Sequence, residues 1–500
     1  MALPLLFLAF FLLASALIYT RISKRHPPLP PGPPADPIIG HARLIPTSGQ
    51  DMFFYELGKK YGEIVHLQVL GRSIVVLNSF QAAVDLLDKR SANYSDRPKL
   101  PIFEMMGFLH SLAFMRYGKD FRMHRRMVQQ SFGKGISKAY RPIQAREARL
   151  LAQKLLSSPD NRDELLLRFS TAIIIEIAFG HQITADNDPY LKAADDVCFA
   201  AANSGPPGGT FVDLFPILRY FPSWFPGAYY AGFARYSRPI IRRIHDMPLA
   251  DVTEQMAKGT AKPSFLVSQL EHLQREDPGN TVGIDHATGA AAVLYVAGAE
   301  TTSSTLSFFF LAMALHPECQ LKAQREIDAV TGGSRLPEFN DRDDLPFLEC
   351  LLQETLRWHH AVPIGMPHRS MEDDIYNGMF IPGGSIMIAN TRGMTLDEKV
   401  YKDPLKFDPE RFLPQPLGRG EPNPNAAFGF GRRVCPGRYL AVDSLWIAMA
   451  SILSTMSILK PRGEDGKEIA PEIGFISGIT CHPSPFRCRL QPRMDLAKHY

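Results

Sequence analysis

Two spacings of apolar residues divide the chain. The segment "EIVHLQVLGRSIVVLNS" (residues 63–79) alternates apolar and polar positions on both sides of a break at Gly71-Arg72, which predicts a β-hairpin. "IYNGMFIPGGSIMIAN" (375–390) alternates again, punctuated by Asn377-Gly378 and Pro382-Gly383-Gly384, and predicts a second strand pair. Most of the remainder follows the helical period. The longest helical run extends from about Asp285 to His316 and ends at Pro317; at roughly 1.5 Å per residue it would cross a whole domain. Its apolar residues occupy nearly every face, so it is expected to be buried. "RYLAVDSLWIAMASILSTM" (438–456) contains no glycine or proline and predicts a helix that begins just after Cys435. Strands early and late with helices between them argue for one large mixed domain, residues 38–500.

The first twenty residues, "MALPLLFLAFFLLASALIYT", carry no charge and are long enough to span a bilayer. Arg21, Lys24 and Arg25 follow at once, which places that side in the cytosol. Ala14-Ser15-Ala16 resembles a signal-peptidase site, but the charges follow the apolar run instead of preceding it, so residues 1–20 read as a retained single transmembrane helix. Residues 21–37 then form a basic, proline-rich hinge, with "HPPLPPGPPADP" (26–37) as a stiff spacer between anchor and body.

Composition narrows the function classes. The 500 residues are 45% hydrophobic and 21% charged, with a net charge of +4, too small to argue for a nucleic-acid partner. Six cysteines occur without a C-x-x-C pair, a density too low for a disulfide scaffold and consistent with a reducing compartment.

Three constellations carry candidate chemistry. In "FGFGRRVCPG" (428–437), Cys435 follows two arginines and precedes a helix start, and glycines let backbone approach closely. Nearby positive charge and a helix N-terminus both favour a thiolate. In the long helix, "AGAETT" (297–302) places Gly298, Glu300, Thr301 and Thr302 amid apolar residues, where a carboxylate is costly unless paired. Three readings stand: a groove opened by Gly298 with a Glu300–Thr301 proton relay, a core helix whose threonines bond back to the preceding turn, or a second membrane span. In "ECLLQETLRWHH" (349–360), Glu354 and Arg357 share a helix face, and Arg411 of "FDPERF" (407–412) could complete a Glu-Arg-Arg network. His359 and His360 point to different faces and read as structural.

These motifs together resemble those of the cytochrome P-450 superfamily of haem-thiolate monooxygenases. "FGFGRRVCPG" fits its F-x-x-G-x-R-x-C-x-G signature, "AGAETT" its oxygen-activation motif, and Glu354-x-x-Arg357 with Pro-Glu-Arg-Phe its other landmarks, in the family's order over residues 38–500. Finer details, "AAFGFGRRVCPGRYLA" and "HPSPFRCRLQPR", look like fungal members of secondary metabolism. The resemblance implies a mainly α fold with small β-sheets. It makes Cys435 the thiolate ligand of haem b iron, with Gly429 and Gly437 letting backbone N–H groups approach the sulfur and Phe428 covering it. Arg433, Arg97, Arg125 and His368 would contact the haem propionates, with Arg369 competing for the place of His368. Glu300 and Thr301 would guide protons, and Gly298 would give dioxygen room. Phe121 stands where the family usually has a tryptophan, removing an N–H donor.

The same resemblance implies a separate NADPH–cytochrome P-450 reductase, with cytochrome b5 as a further electron donor, and NADPH used only through that reductase. Arg122, Arg125, Arg126, Arg432 and Arg438 would suit an acidic partner. It implies an endoplasmic-reticulum membrane location with the catalytic domain facing the cytosol, and a lipophilic substrate such as a terpenoid, polyketide or alkaloid. Apolar segments at 101–115, 361–367 and 474–480 would meet that substrate, and the aromatic stretch 214–233 would dip into the membrane or line an access route. The rival readings are a haem-thiolate isomerase or dehydratase needing no external electrons, and a non-catalytic haem-binding protein.

Overall fold

The alternating segment at 63–79 folds as two antiparallel strands, β1 (Ile64–Val69) and β2 (Arg72–Leu77), in the computed structural model, which describes residues 12–15, 26–205 and 208–493. Val69 pairs with Arg72, so the turn is Leu70-Gly71, one residue earlier than the sequence suggests. Both turn residues have positive φ, 48° and 79°, the condition for a two-residue hairpin that follows the twist of its strands.

The second alternating segment divides. Asp374–Tyr376 and Met379–Ile381 form a small hairpin across Asn377-Gly378. The residues after Pro382-Gly383-Gly384 leave it and join the first sheet. There β3 (His368–Arg369) and β4 (Ile386–Ala389) are antiparallel, β4 runs parallel to β2 with Ile74 opposite Ile386, and the strand order is β1-β2-β4-β3. The rest is mainly helix, and five helices position the site: α1 (Lys119–Phe132), α2 (Arg162–Phe179), α3 (Thr281–Leu315), α4 (Pro346–Trp358) and α5 (Arg438–Thr455).

The predicted long helix is α3. Asn280 caps it by accepting from the Gly283 N–H at 2.7 Å, and it ends at His316, before Pro317. It is long and apolar enough to cross a membrane, yet it packs against α1, α2, α4 and α5. Phe308, Phe309 and Phe310 are fully buried, each worth roughly 1.5–3 kcal/mol by transfer from water. Thr301 and Thr305 donate to the carbonyls of Ala297 and Thr301, both at 2.8 Å, so the threonines do bond back to the preceding turn. A Cβ on Gly298 would lie 2.8 Å from Ile174 Cγ1 of α2. The missing side chain lets two helices approach, and Gly298 also lines the cavity of the candidate site.

The Glu-Arg-Arg network forms. Glu354, Arg357 and Arg411 are all fully buried, and the Glu354 carboxylate accepts from both guanidinium groups. Arg357 also donates to the carbonyls of Thr395 and Pro404, tying α4 to the segment that leads to Cys435.

The proline stretch differs from expectation. It does not stand off as a spacer but lies along the body. The His66 N–H donates to Pro31 O at 2.9 Å, the Phe380 N–H to Pro28 O at 2.8 Å, and His26 stacks on Phe380. An extended proline-rich segment keeps its carbonyls free, and strand N–H groups at the sheet edge take them up. Of the anchor predicted at 1–20 only residues 12–15 are described, as helix; its remainder and the basic residues 21–25 lie outside the described residues.

Candidate active site

A cavity of about 390 Å³ lies between α3 and the loop that carries Cys435. The loop is built by its backbone. The Cys435 N–H donates to Phe428 O at 2.7 Å, closing a turn around Gly429, whose φ is 75°. Gly431 also has positive φ, 54°, and a Cβ there would collide with Leu87 O. Two of the motif's glycines are thus explained by conformation and contact. Gly437 is different: it has ordinary φ and open space around a would-be Cβ, and its N–H favours the cysteine thiolate.

Phe428, Gly429, Cys435 and Gly437 all line the cavity, and Cys435 is the only cysteine that does so among the described residues. Burial pushes the Cys435 thiol up, and this outweighs the Gly437 N–H, Arg125 and Arg438, which favour the thiolate. The sulfur is prepared as a ligand, and a bound metal cation would supply the remaining stabilisation.

A second wall gathers three arginines and a histidine. Arg97, Arg125, His368 and Arg433 all line the cavity. Arg433 donates to the carbonyls of Ser95, Leu112 and Met115, and Arg97 to those of Ala113, Met366 and Pro367. Burial, then the like charge of Arg97, push the Arg433 guanidinium well down, and burial does the same to Arg97. Guanidinium groups stay charged in proteins, so this wall is short of negative charge and suits an anionic ligand. Arg125 is held by Val434 O at 2.6 Å. The competition between His368 and Arg369 resolves along strand β3. His368 faces the cavity with its Nδ1 bonded to Tyr94 O, while Arg369 pairs with Asp96 and is not part of the lining.

The Phe121 ring lies 3.7 Å from the Arg433 guanidinium carbon and also lines the cavity. At the usual tryptophan position, then, a ring stacks on the cation beside the anion-seeking wall. His124 does not replace the missing donor. It is buried on another side of α1, bonded to His286 at 2.8 Å. Arg122 is exposed and stacks on Tyr117.

Across the cavity, α3 presents Thr301 and Glu300. Adjacent helical residues diverge, and Glu300 turns toward the C-terminal strand hairpin. Its Oε1 accepts from Thr480 Oγ1 at 2.9 Å and meets His482 Nε2 at 2.7 Å. Burial pushes the Glu300 pKa up, but His482, with help from Cys198 and Thr480, holds it below the usual carboxylate range. His482 is half-buried, so it bridges solvent and the carboxylate. Sequence reading missed this partner: "CHPSP" offers no local signal, and the pairing joins residues 182 positions apart. The three apolar segments expected to meet substrate each contribute lining residues, including Phe114, Val362 and Ile479. The aromatic stretch 214–233 contributes none. Tyr220 and Trp224 are instead 76% and 80% exposed.

A thiol, a cationic wall and an apolar chamber with a carboxylate–hydroxyl pair opposite suit a flat anionic cofactor whose metal takes a soft ligand. Comparison with known proteins agrees. The family model described as cytochrome P-450 matches residues 30–489. Cytochrome P-450 monooxygenase 136 of Postia placenta is 38% identical over 487 residues, covering 96% of this chain and 92% of its own. Cytochrome P-450 monooxygenase COX1 of Coprinopsis cinerea is 36% identical over 500 residues, covering 98% and 96%. Cytochrome P-450 monooxygenase claR of Ampulloclitocybe clavipes is 38% identical over 478 residues, covering 94% and 87%. A family model and relatives that run nearly end to end through the cysteine loop, the cation wall and α3 leave one assignment: the chain belongs to the cytochrome P-450 family and is one of its monooxygenases.

Proposed function

We propose that this chain is a membrane-anchored monooxygenase that inserts one atom of dioxygen into a lipophilic small molecule, with electrons from NADPH through a separate reductase. The observation that carries this reading is the convergence of Cys435 and a buried, anion-seeking set of cations on one largely apolar cavity. Haem b, the cofactor the family implies, fits that set. Cys435 would hold its iron through the thiolate, Arg433, Arg97, Arg125 and His368 would meet its propionates, and Phe428 would cover the thiolate side. When bound, it supplies the reduction of dioxygen and the transfer of one oxygen atom.

The chain's own residues manage protons and water. Monooxygenation consumes two electrons and two protons, sends one oxygen atom into substrate and releases the other as water. The proton path we assign runs from solvent to His482 and to the Glu300 carboxylate, which lines the cavity together with the Thr301 hydroxyl. The apolar wall excludes bulk water and favours a lipophilic guest. In this reading the guest is a secondary metabolite, in the terpenoid, polyketide or alkaloid range. The exposed Trp224 and Tyr220 suit contact with a membrane surface, the endoplasmic-reticulum membrane in this reading. Arg122, Arg126 and Arg432 are exposed and form no ion pair among the described residues, a surface suited to an acidic reductase or cytochrome b5. An isomerase or dehydratase would have no use for the proton path. NADPH-dependent oxygen consumption with added reductase separates the monooxygenase from that rival and from a non-catalytic haem protein.

Two tests belong here. Thr301→Ala should keep haem and fold while product per NADPH falls by about tenfold or more, the scale of a lost proton-transfer group, with peroxide rising in its place. An unchanged product yield would remove Thr301 from the path. Phe121→Trp should keep activity and slow haem transfer to a scavenger protein by about two- to fivefold, because indole is the strongest cation–π partner for Arg433. Faster haem loss would mean that the larger ring does not fit over that guanidinium, since overpacking here costs ~1–3 kcal/mol.

A further inference from the structure

Three histidines from three separate elements meet next to the cavity-lining residues 111–114. His110 lies in the loop before α1, His124 on α1, and His286 in the second turn of α3. Each offers a ring nitrogen within 4.8 Å of the other two. The ring centroids lie 4.8 Å apart for His110–His286 and 5.0 Å for His124–His286. We propose that this cluster is a zinc-type metal site, in which three imidazoles bind a divalent transition-metal ion and leave a fourth position to water.

Several independent features suit this role. The loop carrying His110 is seated directly on α3: Gly289, three residues beyond His286, has no side chain, and a Cβ there would collide with His110 Cβ. His124 is fully buried, and its Nδ1 has no hydrogen-bond partner. Its one polar contact is to His286, at 2.8 Å, and His110 has none among the described side chains. A hydrogen-bonded histidine pair would account for two of the rings. The third ring is left without a partner at the same point. Asp120 and Asp285 act on His110 from the solvent side and complement a dication. Zinc–imidazole bonds of about 2.0–2.1 Å imply nitrogen separations of roughly 3.4 Å in a tetrahedral site. To reach that value the His124–His286 pair opens from 2.8 Å and His110, within 4.8 Å of both, closes by side-chain rotation on its loop. Three-histidine sites with an open position are an established zinc geometry.

The placement gives such an ion a consequence. The residues just after His110 line the cavity, and the carbonyls of Leu112 and Ala113 hold Arg433 and Arg97. A metal joining His110 to α1 and α3 would fix the loop that seats the cation wall.

The test uses the full chain, haem-loaded and free of any affinity tag, titrated with zinc sulfate in competition with a chromophoric chelator. Zinc and iron are both counted by mass spectrometry. The wild type should hold one zinc per haem at this site, and zinc should raise its thermal midpoint. Removing a ligand should weaken binding at least as much as removing an outer-shell partner of a metal site does, roughly 10–100-fold, so His110→Asn and His286→Asn should each show that loss. His110 is on a half-exposed loop, so His110→Asn decides the matter if the α3 variant does not fold. Equal zinc affinity and stoichiometry in wild type and His110→Asn would assign the metal to adventitious surface groups and overturn the proposal. Failure of the wild type to hold zinc would overturn it too. The zinc count is independent of turnover, so neither result bears on the monooxygenase reading.

Discussion

Cys435→Ser is expected to leave the fold in place and abolish monooxygenation. Serine keeps the shape of the side chain and its backbone, so the Cys435 N–H to Phe428 O bond and the turn at Gly429 survive. The Gly437 N–H still has an acceptor. What is lost is the soft anionic ligand: a hydroxyl does not ionise at neutral pH, whereas a thiol does once a metal draws its proton off. No other cysteine lines the cavity among the described residues, so no sulfur can substitute. Activity should fall by roughly three orders of magnitude or more, the scale seen when a group the chemistry depends on is removed. The reduced carbon monoxide complex should lose the red-shifted Soret band of thiolate ligation. A variant that retained that band would sink the assignment of Cys435.

How much of this site the sequence revealed follows from how its contacts are spaced. The cysteine loop was legible because its determinants are neighbours: the glycines that need positive φ, the arginines and the helix start fall within eleven residues, 428–438. Glu354 and Arg357 were legible because three residues on a helix is a contact distance. His368 against Arg369 was not decidable, because adjacent strand residues face opposite ways and nothing local says which face meets the cavity. Gly298 was legible only in part, for a related reason. A helical glycine signals close approach, and the sequence does not say what comes near; here Ile174 of α2 packs on it and it also lines the cavity. The charges that favour a thiolate are visible around Cys435, and the burial that opposes it leaves no local signal. The proline stretch signalled an extended backbone correctly, and its docking depended on sheet-edge N–H groups more than thirty residues away. The histidine cluster and the Glu300–His482 pair rest on contacts across the chain and leave no periodic trace.

The second large effect is structural. Glu354→Gln should destabilise the protein by about 3–5 kcal/mol, the cost of stranding a buried charge. The carboxylate accepts from Arg357 Nε at 2.7 Å and Nη2 at 2.8 Å, from the Asp408 N–H at 2.7 Å, and from Arg411 Nε. Glutamine keeps the volume but turns one acceptor into an NH2 group that faces guanidinium donors. It also removes the one negative charge between two cations that are fully buried. Arg411 keeps Glu421, with which it pairs at 2.6 Å, so Arg357 bears most of the loss. Arg357 is left with backbone carbonyls of Thr395, Pro404 and Lys406, which satisfy its donors but not its charge. For 500 residues, with unfolding entropy of about 2.1 cal/mol/K per residue, this cost corresponds to a thermal midpoint lower by roughly 3–5 °C. Because these carbonyls belong to the segment leading to Cys435, haem occupancy after purification should fall as well. Replacing Glu354 and Arg357 together by leucine and methionine should cost less than the two single changes added, since the double variant leaves no unpaired charge between them. A Glu354→Gln midpoint within about 1 °C of wild type, with full haem occupancy, would show that the carbonyl contacts alone hold the network and that the charge pairing adds nothing.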